Sequence, residues 1–178
     1  DVKIGRIGVY GMGGVGKTTL AQLVYNDEKV DAHNFDLKAW VCVSEEFDIL
    51  KVTKTILGAV SGSCDINDLN QFQLKLKARL TGKKFLLVLD DVWNENHSDW
   101  DLLKSPFTVG AHGSKIILTT RSIDVASIMQ TVPVYHLEQL SNIECWLIFS
   151  KHAFENGNPG GQQDLEAIGR KIVEKCKG

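Results

Sequence analysis

Apolar positions along the chain fall into short unbroken blocks and into stripes of helical spacing, and the two alternate from the start. Ile7, Val9 and the residues around them read as a short buried strand. A glycine-rich turn follows, and then Leu20, Leu23 and Val24 recur at helical spacing. Residues 37–43 form a second β-rich run, leading to Ser44 and a helix with Ile49, Val52, Ile56 and Leu57 on one face. Leu69, Phe72, Leu76 and Leu80 mark another helix after Asp68, ended by Gly82. Residues 85–89 show no alternation at all, which implies a central strand buried on both faces. Residues 115–119 predict a fourth strand, 125–129 a short helix and 134–137 a fifth, edge strand. Repeated β-α units of this kind predict an α/β fold, with a parallel sheet of about five strands and helices on both faces.

From Ser141 the pattern turns to helix only, with Cys145, Trp146, Ile148 and Phe149 close together. A Gly-Asn-Pro-Gly-Gly loop at 157–161 precedes a last helix carrying Leu165, Ile168, Ile172 and Val173. The expected division is a core over 1–140 and the beginning of a helical subdomain over 141–178. Both ends read as cuts in something longer, because Asp1 stands just before a strand and the last helical pattern runs up to Gly178.

At 178 residues the chain fits one domain plus the start of another, and a domain of this size buries roughly 70% of its unfolded surface. The 20 Lys and Arg against 22 Asp and Glu leave a net charge of -2. That balance lacks the electrostatic footprint of a nucleic-acid or membrane-surface binder, so any anion must be held locally. Cys42, Cys64, Cys145 and Cys176 lie too far apart for a zinc site or a disulfide framework, which predicts reduced thiols in the cytosol. The longest apolar run is too short to span a bilayer, and the first residues lack the pattern of a secretion signal. The expectation is a soluble, cytoplasmic chain with no nucleic-acid or membrane partner.

The candidate chemistry starts in the glycine turn, Gly11-Met12-Gly13-Gly14-Val15-Gly16-Lys17-Thr18. Gly-x4-Gly-Lys-Thr arises by chance in about one percent of chains this long, and its place between a strand and a helix makes it more specific still. Glycines let backbone N–H groups wrap phosphates, the helix N-terminus adds positive potential, and Lys17 reaches the β- and γ-phosphates. The predicted nucleotide-binding residues are therefore Gly11, Gly13, Gly14, Val15, Gly16, Lys17, Thr18 and Thr19, with the Thr18 hydroxyl as a Mg²⁺ ligand.

Asp90-Asp91 closes the buried strand and delivers carboxylates to the sheet edge. Asp90 fits the Mg²⁺-supporting role, and Asp91 is the candidate to orient or activate an attacking water. Arg121, directly after Leu118-Thr119-Thr120, stands where a strand end brings a guanidinium to a terminal phosphate. Lys17, Asp91 and Arg121 are thus the catalytic candidates. The five histidines show no metal spacing, and Trp40, Trp93, Trp100 and Trp146 read as packing residues.

With these pieces in place the chain resembles the nucleotide-binding (NB-ARC) domain of plant intracellular immune receptors of the nucleotide-binding, leucine-rich-repeat type. The resemblance runs in order through residues 11–21, through Phe35-Asp36-Leu37-Lys38-Ala39-Trp40-Val41-Cys42-Val43-Ser44, and through Leu86-Leu87-Val88-Leu89-Asp90-Asp91-Val92-Trp93. It continues with Gly113-Ser114-Lys115-Ile116-Ile117-Leu118-Thr119-Thr120-Arg121, then residues 135–141 and 145–154. Trp93 and the 35–44 segment resemble the subgroup with an N-terminal coiled coil rather than a Toll/interleukin-receptor domain.

The resemblance implies a P-loop ATP/ADP switch with Mg²⁺. ADP holds the receptor closed, exchange for ATP opens it on pathogen detection, and slow hydrolysis resets it. Implied partners are leucine-rich repeats and a coiled coil within the same receptor and, indirectly, a pathogen effector or guarded host protein, with oligomerisation on activation. The loop and Asp90 alone would equally serve a metabolic or mechanical P-loop ATPase or kinase, or a scaffold that binds nucleotide without turnover. Five motifs in register favour the switch.

Overall fold

The computed structural model describes residues 3–43, 47–62, 68–154, 157 and 163–176. Ser44, Cys64 and all of the 157–161 loop except Gly157 lie outside them. The chain divides into two compact units, Asp1–Leu137 and Glu138–Gly178.

The first unit is a five-stranded parallel sheet: β1 (Ile4–Tyr10), β2 (Leu37–Cys42), β3 (Phe85–Val92), β4 (Ser114–Thr120) and β5 (Tyr135–His136). Their order across the sheet is β2-β3-β4-β1-β5, and each neighbouring pair is parallel. The helices are α1 (Lys17–Tyr25), α2 (Glu28–Asp31), α3 (Ile49–Ser61), α4 (Leu69–Leu80), α5 (His97–Lys104) and α6 (Ile123–Met129), with a 3-10 turn at Ser105–Val109. The unbroken apolar run of β3 has a simple cause. Leu87 and Leu89 face a core shared with α3, α4, α5 and α6, while Leu86 and Val88 face the opposite core under α1.

Helix starts follow side chains that accept hydrogen bonds from free backbone N–H groups. Asp48 caps α3, Asp68 caps α4, Asn96 caps α5 and Ser122 caps α6. The head of α3 is thus Asp48 rather than Ser44. Leu23, expected on the buried stripe of α1, is 67% exposed, and the sheet-facing positions are Leu20, Ala21 and Val24. The polar stretch that hides α5 from a periodicity reading folds because Trp100 is fully buried, with its indole N–H donating to the Asn94 carbonyl at 2.8 Å.

The second unit holds α7 (Asn142–Ala153) and α8 (Gln163–Cys176). A capping box starts α7: the Ser141 hydroxyl accepts from the Glu144 backbone N–H, and the Glu144 carboxylate accepts from the Ser141 N–H at 2.8 Å. The two helices meet where Gly169 lies against Trp146 and Phe149, and a Cβ there would fall 2.6 Å from the Phe149 ring. Arg170 stacks over Trp146 at 4.3 Å.

Candidate functional site

Parallel pairing sets four strand ends side by side. Tyr10 lies opposite Thr120, Val92 opposite Thr120, and Cys42 opposite Asp90. The residues that follow these strands therefore gather at one edge, the carboxyl edge where ligands of open α/β sheets bind.

The glycine loop leaves β1 there and turns into α1. Gly16 caps α1 with φ 99°, a left-handed conformation costly for residues with a Cβ. Gly11 passes so close to the Leu137 carbonyl that a Cβ would lie 2.5 Å from its oxygen. Helices α2 to α7 each begin on a side chain that accepts from their first turn, whereas α1 begins on a glycine with no side-chain cap. The first N–H groups of α1 thus face outward with the positive end of the helix dipole, a ready anion site.

Lys17 is only 7% exposed, and its ammonium donates to the Gly11 and Met12 carbonyls at 2.8 and 2.7 Å. Burial pushes this ammonium below its ordinary value; repulsion from Arg121 adds to the effect, and Asp91 and Asp90 oppose it. Across the cavity Thr18 donates its hydroxyl to Asp90 Oδ1 at 2.9 Å. Two oxygens so placed suit a hard cation such as Mg²⁺, which takes one or two protein oxygens and completes its shell with phosphate and water. Among the described residues no cluster of three or more His, Cys, Asp or Glu could form an all-protein metal cage.

Successive side chains of a strand point to opposite faces, yet Asp90 and Asp91 both line the cavity. A bulge makes this compatible. Leu89 pairs with Leu118 and Val92 with Thr120, so β3 has one more residue than β4 in that interval, and Asp91 takes φ 54°. The Thr119 hydroxyl sits at the bulge, donating to Asp90 Oδ1 at 2.5 Å and accepting from the Asp91 N–H at 2.9 Å.

The cavity measures about 480 Å³ and is lined by Gly13, Gly14, Gly16, Lys17, Thr18, Thr19, Cys42, Val43, Asp90, Asp91 and Arg121. Gly11 and Val15 shape the loop beneath it and lie off its wall. Arg121 reaches the site over the Trp93 ring, 4.7 Å from its centroid, and beside Gly13, where a Cβ would sit 3.0 Å from Nη1. Cys42 and Val43, which line the cavity, were missed, as were Trp93 and Thr119, which do not line it and support Arg121 and Asp90. The parallel register of β2 with β3, which sets Cys42 beside Asp90, is the signal that could have found the first two.

A glycine loop feeding an uncapped helix, with a strand-end carboxylate against the loop threonine, on a 2-3-4-1-5 parallel sheet, defines a nucleotide-binding protein of the P-loop NTPase class. The fold agrees with that of solved structures: a chain in a structure of Drosophila ORC bound to DNA superposes with a TM-score of 0.64 at 15% identity, covering 95% of this chain and 45% of that one. The chain belongs to the NB-ARC domain family, whose pattern matches residues 1–158. A disease resistance RPP13-like protein of Arabidopsis thaliana is 50% identical over 97% of this chain and 16% of its own length. Disease resistance protein RGA2 of Solanum bulbocastanum is 46% identical over 96% of this chain and 18% of its own. The chain thus spans about a sixth of the length of these relatives. Among the described residues no helix is long and apolar enough to cross a membrane.

Proposed function

We propose that this domain binds ATP and ADP with Mg²⁺ and serves as the nucleotide switch of a cytoplasmic plant immune receptor. The observation that carries the reading is the uncapped head of α1 inside the glycine loop, facing Asp90 across the cavity. The backbone N–H groups of Gly13, Gly14, Val15, Gly16, Lys17, Thr18 and Thr19, with Gly11 setting the turn, hold the phosphates. Lys17 exchanges its two loop carbonyls for the β- and γ-phosphates. Thr18 and Asp90 would hold Mg²⁺, which would supply positive charge to offset that of the phosphates.

Asp91 orients the attacking water and Arg121 meets the terminal phosphate, and hydrolysis, slow in this reading, works as a timer rather than as metabolism. Resistance proteins several times longer than this chain support a receptor in which leucine-rich repeats and an N-terminal coiled coil read the nucleotide state. A pathogen effector or guarded host protein acts through those parts, and oligomerisation follows activation. The domain division into a core over 1–140 and a helical subdomain from 141 belongs to the same reading.

The test is Lys17→Ala in the full-length protein, with ATP and ADP binding measured by calorimetry. Loss of both is expected, because the substitution removes the cation nearest the phosphates. Unchanged affinity would refute the reading.

A further inference from the structure

We propose that Thr119 is the positioning residue of the carboxylate pair, holding Asp90 for its cation and Asp91 in its left-handed turn through one hydroxyl. The inference rests on the nucleotide-switch reading and deepens it.

Three hydrogen bonds carry the argument. Asp90 Oδ1 accepts from Thr18 at 2.9 Å and from Thr119 at 2.5 Å, and the Thr119 oxygen accepts the Asp91 N–H at 2.9 Å. Thr119 is 1% exposed and Asp90 4%, so water cannot replace the two bonds that Thr119 makes without opening the sheet edge. The hydroxyl has one proton, and Asp90 receives it; its oxygen is then free to take the bulged N–H that β4 no longer pairs in regular register. A single side chain thereby fixes which carboxylate oxygen faces Thr18 and holds the backbone at φ 54°, which turns the Asp91 carboxylate into the cavity. Partners that orient a metal-holding carboxylate in this way govern metal affinity nearly as strongly as the ligand itself.

Thr119→Val is close in shape and can neither donate nor accept, whereas Thr119→Ser keeps the hydroxyl. Both are compared with wild type in the full-length protein by following a fluorescent ADP analogue, first in EDTA and then along a Mg²⁺ titration. Expected is unchanged binding in EDTA for both variants. The Mg²⁺ concentration that enhances binding half-maximally should rise about 10- to 100-fold in Thr119→Val and stay within about threefold of wild type in Thr119→Ser. If Thr119→Val does not fold, Thr119→Ala is expected to show the same rise. A Mg²⁺ midpoint unmoved by losing the hydroxyl overturns the inference and leaves the switch reading standing. A wild-type protein that binds no nucleotide overturns both.

Discussion

The Arg121 guanidinium lies on the face of Trp93, 4.7 Å from the ring centroid, so the residue two positions after the paired aspartates supports the one that ends the neighbouring motif. Arg121 is thereby held at the cavity although its own side chain is exposed. A cation stacked on an aromatic face gains about 0.5–2 kcal/mol, enough to bias a long flexible side chain toward one orientation.

Trp93→Ala should release Arg121 and weaken ATP binding about fivefold, the equivalent of roughly 1 kcal/mol. ADP affinity should hardly change, because only ATP offers a γ-phosphate to Arg121. Trp93→Phe should retain most of the wild-type preference. Parallel titrations with the two nucleotides check this, and an equal loss for both would place Trp93 in general packing.

Asp91 is best tested by Asp91→Asn, since asparagine tolerates a left-handed backbone and alanine pays about 1–2 kcal/mol there. The expected result is hydrolysis slowed by about 10²-fold with ADP affinity preserved. Asp91→Ala should add a lower melting temperature to the same kinetic loss. Single-turnover hydrolysis and calorimetry separate the two effects.

Gly8 faces α6 so closely that a Cβ would stand 2.6 Å from the Ala126 carbonyl oxygen. That atom is backbone and cannot swing aside, so Gly8→Ala should displace α6 and destabilise the domain by about 1–3 kcal/mol. Helix α6 begins two residues after Arg121, so ATP affinity should fall as well. Thermal unfolding and an ATP titration on one sample would show both changes, and an unchanged melting temperature would contradict the close packing.

The capping box of α7 makes a pH prediction. Hydrogen bonds from the Ser141 side chain and backbone hold the Glu144 carboxyl below its ordinary value of 4.5. A depressed folded value means that the stabilising contribution is fully present above pH 4.5 and is lost as pH falls through the lower folded value. The protection factors of the amides in the first turn of α7, that is exchange relative to the intrinsic rate at each pH, should therefore fall on acidification below that point. Ser141→Ala should show low protection factors throughout and lose their pH dependence.

Much of the fold was legible because its signals are local. The apolar block of β3, the helical stripe of Phe72, Leu76 and Leu80, and the Asp68 cap all depend on neighbours within a few residues. Trp100 buries a helix whose other positions are largely polar, and Leu23 sits on a stripe that the sheet does not cover; both depend on partners distant in sequence.

The same division holds for the site. The glycine spacing, with Lys17 and Thr18 at the head of α1, is determined by sequence alone, because loop and helix are contiguous and only glycine suits the tight turns. That Asp90 and Asp91 share one cavity is decided by tertiary structure, since period-two alternation would send them to opposite faces. The bulge against β4 and the Thr119 hydroxyl reverse that outcome, and pairing between strands some thirty residues apart brings Thr119 to Asp90.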